Sequence, residues 1–574
     1  MELELNMMVG GEAGQGVQSV GFILAKTFAR AGYGIFADQD YESRIRGGHN
    51  FYRVRAKDDE VGAISEHLDM LIALNRESIT LHQKELKSTG VAIFDEEKIK
   101  DISPNERLLG VPLERLAQEK AGNKLMTNTV ALGAALGLVK FDFDLLASVL
   151  REYFTGSGYD IAEGNVRAAR AGFDYAQENF GDNMEFDVKP IAGVKKMLLS
   201  GNEALALGAM AAGCKFMAGY PMTPSTPIME YIADKGRLFN IVVVQPEDEI
   251  SVINMVIGAA YAGVRAMTAT SGGGFCLMVE GLSLAGMTET PIVVVLGQRP
   301  GPAIGLPTRT EQGELEFAIH AGHGEFPRAV LAPATIEDAF HIAVKAFNLA
   351  EKYQTPVIIL TDEHLVSSYG TVAKFDLEQV KIERGQLLSE EEVDTLTEYK
   401  RYLITESGVS PRALPLRGKA LVVTDSDEHD EEGHIIEDAG TRRQMMSKRL
   451  RKMNGLRGEL EQPRVHHTPG AQMTLVGWGS TYGAITEAVA ILQKEGVAAN
   501  VLHLNELWPF PEGTVSSVLN GNTKSIVIEN NATGQLARLI RAETGIKVNG
   551  TINKFDGRPF SPEYIIKELR KGVF

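Results

Sequence analysis

Tyr220-Pro221-Met222-Thr223-Pro224-Ser225-Thr226-Pro227 sets three prolines, two threonines and a serine in one short stretch after an apolar run. Each proline fixes φ and removes a backbone donor, so the hydroxyls of Thr223 and Ser225 ride on a stiff, extended loop. Such a loop suits a small polar ligand, and it also suits an ordinary strand-to-helix connection.

Around the loop, residues 201–361 alternate helices rich in glycine and alanine with apolar strands at 241–244, 291–296 and 357–360. That alternation is the pattern of a doubly wound parallel sheet, in which ligands gather at the carboxyl ends of strands. The segments beginning at Tyr220, Gln245, Thr270 and Gly297 fall at those ends.

Upstream, Leu3 to Val9 alternates like a strand, Gly10 to Gly16 turns the chain, Val17 to Arg30 has helical periodicity, and Gly34 starts another strand. A glycine turn between strand and helix can hold an anion, and Asp38 and Asp40 lie near the ribose-binding position of a dinucleotide fold. The spacing Gly11-x-x-Gly14-x-Gly16 is reversed from the dinucleotide fingerprint, so a nucleotide-binding regulatory or scaffold protein stands as the alternative from another class.

At 574 residues the chain holds several cores. A formal net charge of -17 argues against nucleic-acid binding. No run of about 18 apolar residues appears, and Met1-Glu2-Leu3-Glu4 lacks the basic start of a signal peptide. The expectation is a cytoplasmic protein with no membrane partner. Only Cys214 and Cys276 are present, against the roughly four thiolates that a cubane cluster needs. Residues 370–468 are highly charged and predict a long excursion with little core. Within it, Asp425 to Glu432 is a solvated acidic run rather than a metal site, and Arg442 to Arg457 a solvated amphipathic segment.

The series Tyr220 to Pro227, Gln245-Pro246-Glu247-Asp248-Glu249, Thr270-Ser271-Gly272-Gly273-Gly274 and Pro307 to Gln312 resembles the pyrimidine-type domain of the alpha subunit of 2-oxoacid:ferredoxin oxidoreductases. These are thiamine-diphosphate and iron–sulfur enzymes that oxidatively decarboxylate 2-oxoacids onto coenzyme A. Met222 stands where the family signature Tyr-Pro-Ile-Thr-Pro-Ser has isoleucine. Gly10 to Gly16 with Tyr41 to His49 resembles the family's gamma domain, here fused in front, and Met473 to Ser480 opens a part similar to its transketolase C-terminal-like domain.

The resemblance implies an α/β chain with a gamma domain at 1–182, a pyrimidine-type doubly wound parallel sheet at 198–375, a charged connection at 376–468 and a transketolase C-terminal-like domain at 469–574. A thiamine enzyme ionises C2 by holding a carboxylate against N1′ of the aminopyrimidine. Counting back from Gly258-Ala259-Ala260-Tyr261-Ala262-Gly263, the family's activating glutamate is Glu249, while Glu247 and Asp248 read as helix-capping acids. Tyr220 and Pro221 would line the pyrimidine side. Thr223 and Arg309 would bind the substrate carboxylate, Arg309 having local pairing with Glu311 as its alternative. Arg44 and Arg46 are possible coenzyme A contacts or surface charges.

No Gly-Asp-Gly occurs in the sequence. The resemblance therefore puts the thiamine diphosphate–Mg²⁺ group and a [4Fe–4S] cluster on a partner beta subunit, in a dimer of heterodimers that passes electrons to ferredoxin. The fusion and the 308–312 segment favour 2-oxoglutarate, with pyruvate or a broad range of 2-oxoacids as the alternative.

Overall fold

The structure, a computed structural model, describes residues 3–43, 47–181, 183–184, 186–193, 196–521 and 523–572. Arg44, Arg46 and the boundary residue Asp182 lie outside the described residues. The chain divides into two units, one of residues 1–199, 367–375 and 561–564, the other of the remainder.

In the first unit an eight-stranded sheet runs in the order Leu108–Val111, Leu86–Asp95, Leu68–Ala73, Glu4–Ala13, Gly47–Lys57, Gly34–Asp40, Tyr369–Val372, Met197–Ser200. The helix Val17–Arg30 has the predicted bounds and buries Val20, Leu24 and Phe28 against it. Helices Thr127–Leu138 and Tyr159–Phe180 touch backbone to backbone, because a Cβ at Gly133 would overlap the Ala169 carbonyl and one at Gly172 the Val130 carbonyl.

The dinucleotide alternative fails on topology. Glu4–Ala13 has the antiparallel strand Gly47–Lys57 on one side, and Gly34–Asp40 pairs with that strand rather than lying parallel beside the first. Asp38 is spent on Arg53, whose Nε and Nη2 grip its carboxylate at 2.8 and 2.5 Å. The strand Tyr369–Val372 pairs with Gly34–Asp40, so residues 367–375, which the sequence assigned to the pyrimidine-type domain, complete the first unit's sheet.

The second unit holds a seven-stranded sheet in the order Glu506–Trp508, Ala329–Leu331, Pro356–Asp362, Ile292–Gln298, Ala266–Thr270, Phe216–Ala218, Val242–Val244. Every pairing is parallel except that of Glu506–Trp508. The interior strands read as continuous apolar runs because helices cover both faces. A five-stranded sheet, Arg464–His466, Ala499–Leu504, Met473–Trp478, Lys524–Glu529, Gly550–Asn553, shares its core: Val294, Leu296 and Leu360 bury with Val476, Trp478 and Leu502.

The charged stretch after residue 376 departs from expectation. Tyr402, Ser410 and His429 are fully buried, and the helix Ala439–Glu459 sinks Met445, Lys448, Lys452 and Leu456 into the unit. Positions 445, 448, 452 and 456 form one helical stripe, so the inward face carries two lysines. Lys448 Nζ lies 2.6 Å and Lys452 Nζ 2.5 Å from the two oxygens of Glu289, with all three side chains at 0–1% exposure. Burial pushes Lys448 down to about 7 and Lys452 to about 8, against the upward pull of Glu289. Arg401 donates to the Glu289 carbonyl at 2.8 Å. The basic segment is thus an internal anchor, not a solvated face. In the acidic run, Glu428 pairs with Arg449 at 2.7 Å, and among the described residues no His, Cys, Asp and Glu cluster could hold a metal ion. No helix among them is long and apolar enough to cross a membrane.

Candidate active site

Four strand ends of the seven-stranded sheet build the site. After Phe216–Ala218 the proline loop is fastened at successive points. Asn202 Nδ2 donates to the Pro224 carbonyl at 3.1 Å, Ser225 Oγ to the Thr270 carbonyl at 2.8 Å, and Arg299 Nη1 to the Thr223 carbonyl at 2.7 Å. The Ser225 hydroxyl fits only because Gly297 lacks a side chain; a Cβ there would overlap it. Ser225 is therefore structural, Thr223 is half-buried, and Tyr220 and Pro221 are exposed at the head of the loop.

After Val242–Val244 the chain enters the helix Glu249–Tyr261. Asp248 is its N-cap, accepting from the Ser251 N–H at 2.7 Å. Capping by Asp248 accords with its structural reading. Glu249 does something else. It is 4% exposed, and its Oε1 has no hydrogen-bond partner. That oxygen lies against the first turn of the helix Gly272–Met287, where a Cβ at Gly274 would come within 2.6 Å of it and collide with Thr270 Oγ1.

A buried acceptor without a donor costs about 1–3 kcal/mol, so a chain retains one where a ligand supplies the donor. The Glu249 carboxylate, lined by Gly274 and Thr270, fits the edge of an aminopyrimidine that needs an acid at N1′.

Ser271, the N-cap of the same helix, is fully buried and its Oγ is also without a partner. On the far side of the turn stands Glu314, whose Oε1 a Cβ at Gly272 would approach to 2.5 Å and whose buried Oε2 is unpartnered. Its backbone N–H donates to Gln298 Oε1 at 2.9 Å, and Gln298 is tied in turn to the Thr361 carbonyl at 3.1 Å. Burial, reinforced by Glu311 and opposed by Arg299, pushes the Glu314 carboxyl up to about 8.

Arg309 is half-buried in the loop that follows Ile292–Gln298, with Nη1 donating to the Thr308 carbonyl at 3.0 Å. The loop is held from the C-terminal sheet: Gln312 donates from its backbone to Asn530 O at 2.7 Å and from Nε2 to Trp478 O at 3.0 Å.

Sequence reasoning passed over Arg299 and Glu314. Arg299 is 7% exposed and clamps the carbonyl of Thr223. Neither could be found from spacing, although Arg299 directly follows Gln298 at the end of a fully buried strand, where a charge is pressed into the sheet's end.

Residues 207–448 match the family described as pyruvate flavodoxin/ferredoxin oxidoreductase, thiamine diphosphate-binding; residues 6–175 match pyruvate ferredoxin/flavodoxin oxidoreductase and 471–565 its core domain II. The chain is 34% identical to 2-oxoacid:ferredoxin oxidoreductase 2, subunit alpha, of Aeropyrum pernix, over 97% of its own length and 96% of the relative's. The chain belongs to the 2-oxoacid:ferredoxin oxidoreductase alpha subunits. As such it is part of an oxidoreductase with a thiamine diphosphate-binding domain, and the resemblance drawn from Tyr220 to Pro227 holds over the whole chain. This alpha subunit is also 34% identical to the 2-oxoglutarate synthase subunit KorA of Methanothermobacter thermautotrophicus, over 66% of this chain and 99% of that one. It superposes on the solved 2-oxoglutarate:ferredoxin oxidoreductase of Magnetococcus marinus, with 2-oxoglutarate, coenzyme A and succinyl-CoA bound, with a TM-score of 0.92, 34% identity and 99% of each chain covered.

Proposed function

We propose that this alpha subunit supplies the pyrimidine side of a thiamine site in an enzyme that converts 2-oxoglutarate and coenzyme A to succinyl-CoA and CO₂, with electrons passing to ferredoxin. The observation that carries this reading is the buried Glu249 Oε1 with no donor at the first turn of Gly272–Met287. When bound, thiamine diphosphate supplies a carbon nucleophile and an electron sink for decarboxylation. Glu249 holds the proton at N1′ and so raises the basicity of the cofactor's own amino nitrogen. Gly272 to Gly274 let the ring lie close to the backbone. Thr223 and Arg309 orient the substrate carboxylates, and Tyr220 and Pro221 close the outer edge against water.

A partner beta subunit carrying the diphosphate, Mg²⁺ and a [4Fe–4S] cluster completes the enzyme as a dimer of heterodimers, consistent with two cysteines and no Gly-Asp-Gly here. Coenzyme A approaches by way of the N-terminal gamma domain, with Arg44 and Arg46 as its phosphate contacts, and the complex works in the cytoplasm. Similarity to proteins named for 2-oxoglutarate supports the substrate over pyruvate. The domain boundaries we propose are 1–182, 198–375, 376–468 and 469–574, residues 367–375 returning to the first sheet.

The test is initial rates of the purified alpha–beta complex on a panel of 2-oxoacids. The highest kcat/KM is expected on 2-oxoglutarate. A complex that prefers pyruvate overturns the substrate, and one that turns over no 2-oxoacid overturns the site.

A further inference from the structure

The N-terminal turn of the helix Gly272–Met287 gathers more unsatisfied polar atoms than the cofactor's pyrimidine needs. Glu249 Oε1 lies on the Gly274 side, Ser271 Oγ at the cap, and Glu314 Oε2 on the Gly272 side, all three out of solvent and without partners. Glu249 has a task in the reading above. Glu314 has none, yet its backbone is fastened by Gln298 and its other oxygen rests against Gly272, so the free oxygen is aimed rather than loose.

The charges around it decide what it can do. Arg299, from the end of Ile292–Gln298, and the positive end of the helix attract anions to this turn. Glu311 on the same loop and Cys276 on the helix are the titratable groups coupled to it, and Glu311 opposes its ionisation. An ionised Glu314 would cancel Arg299 and repel a carboxylate. A neutral one offers an O–H donor.

We propose that Glu314 is a substrate-binding residue that donates a hydrogen bond from its carboxylic acid, through Oε2, to the carboxylate of the bound 2-oxoacid. This rests on the 2-oxoacid reading of the site. It makes the enzyme lose substrate affinity on the alkaline side as the acid becomes a carboxylate. Burial and Glu311 set that loss near pH 8.

The experiment is kcat/KM for 2-oxoglutarate between pH 6 and 9.5 in the assembled complex. Wild type should show an alkaline limb falling about tenfold per pH unit. Glu314→Gln keeps an N–H donor and cannot ionise, so its kcat/KM at pH 7 should stay close to wild type while the limb disappears. Glu314→Ala loses the donor, and its KM at pH 7 should rise about tenfold or more while kcat changes little, with no alkaline limb. Cys276→Ser should keep the wild-type limb. A limb unchanged in Glu314→Gln overturns the assignment even if Glu314→Ala fails to fold. A wild-type complex that turns over no 2-oxoacid overturns the site reading and this assignment together, whereas an active complex with an unchanged limb overturns this assignment alone.

Discussion

Replacing Glu289 by glutamine should be the most damaging conservative change in the second unit. Glu289 is the sole carboxylate in contact with both Lys448 and Lys452 among the described residues, at 2.6 and 2.5 Å, and none of the three side chains reaches solvent. Breaking a buried pair from one side typically costs about 3–5 kcal/mol, because the other charge stays behind. The cost also has a ceiling. A stranded lysine can release its proton, and doing so at pH 7 from an ordinary pKa of about 10.4 costs about 4.6 kcal/mol per lysine.

The two bounds agree, so Glu289→Gln should lower the urea midpoint of unfolding by about 1 M or more at pH 7. Lys448→Met should do far less, since it removes one of two like charges and leaves Lys452 paired with Glu289. The sign of the pH dependence follows from proton counting. In the variant the lysines are neutral when folded and charged when unfolded, so the unfolded state binds more protons and stability rises with pH. Burial already brings the wild-type Lys448 and Lys452 to about 7 and 8, so the deficit should shrink as these two lose their protons between pH 7 and about 8 and level off above that. Equal midpoints for the two substitutions, or a Glu289→Gln deficit that is the same at pH 7 and pH 9, would refute the anchor.

Glu249→Ala in the assembled complex should slow exchange of the thiamine C2 proton by about 10² or more with the fold intact; unchanged exchange removes Glu249 from the site, and Glu247→Gln is the control. Gly274→Ala drives a methyl into Glu249 and Thr270, so cofactor-dependent activity should vanish for a stability loss of about 1–3 kcal/mol. Arg309→Met should reduce kcat/KM more than Thr223→Val does, because a charge-assisted contact is about twice as strong as a neutral one. If Arg309 meets the distal carboxylate, 2-oxoglutarate should suffer far more than 2-oxobutyrate, and a variant unimpaired on both denies it a substrate role. Expressed without partners, the chain should show no stoichiometric iron–sulfur absorption band.

The sheet carrying the site was legible because its signals are local. Apolar runs such as 357–360 declare strands, and Tyr220 to Pro227 declares the loop between two of them. Glu249 was singled out by its distance from Gly258 to Gly263, and the structure shows it buried with an unpartnered oxygen. What escaped depends on partners far along the chain. Lys448 and Lys452 look like surface residues until Glu289, some 160 positions earlier, is set beside them. Glu314 has polar neighbours in sequence, Glu311 and Gln312, that give no hint of its burial; Gln298 and Gly272 create that environment. The strand Tyr369–Val372 is too short to announce its sheet, and only hydrogen bonding to Gly34–Asp40 reveals it.

That strand limits how the chain can be cut for expression. A fragment ending at residue 199 would lack residues 369–372 and leave Phe36 and Ala37 of Gly34–Asp40 without the strand partners Gly370 and Tyr369. Naked strands recruit other naked strands, so this piece would self-associate in solution. A soluble N-terminal fragment therefore needs residues 367–375 returned to it, either as an added peptide or spliced on through a flexible tether. The benefit of that addition should register as a shift from aggregate to monomer on gel filtration.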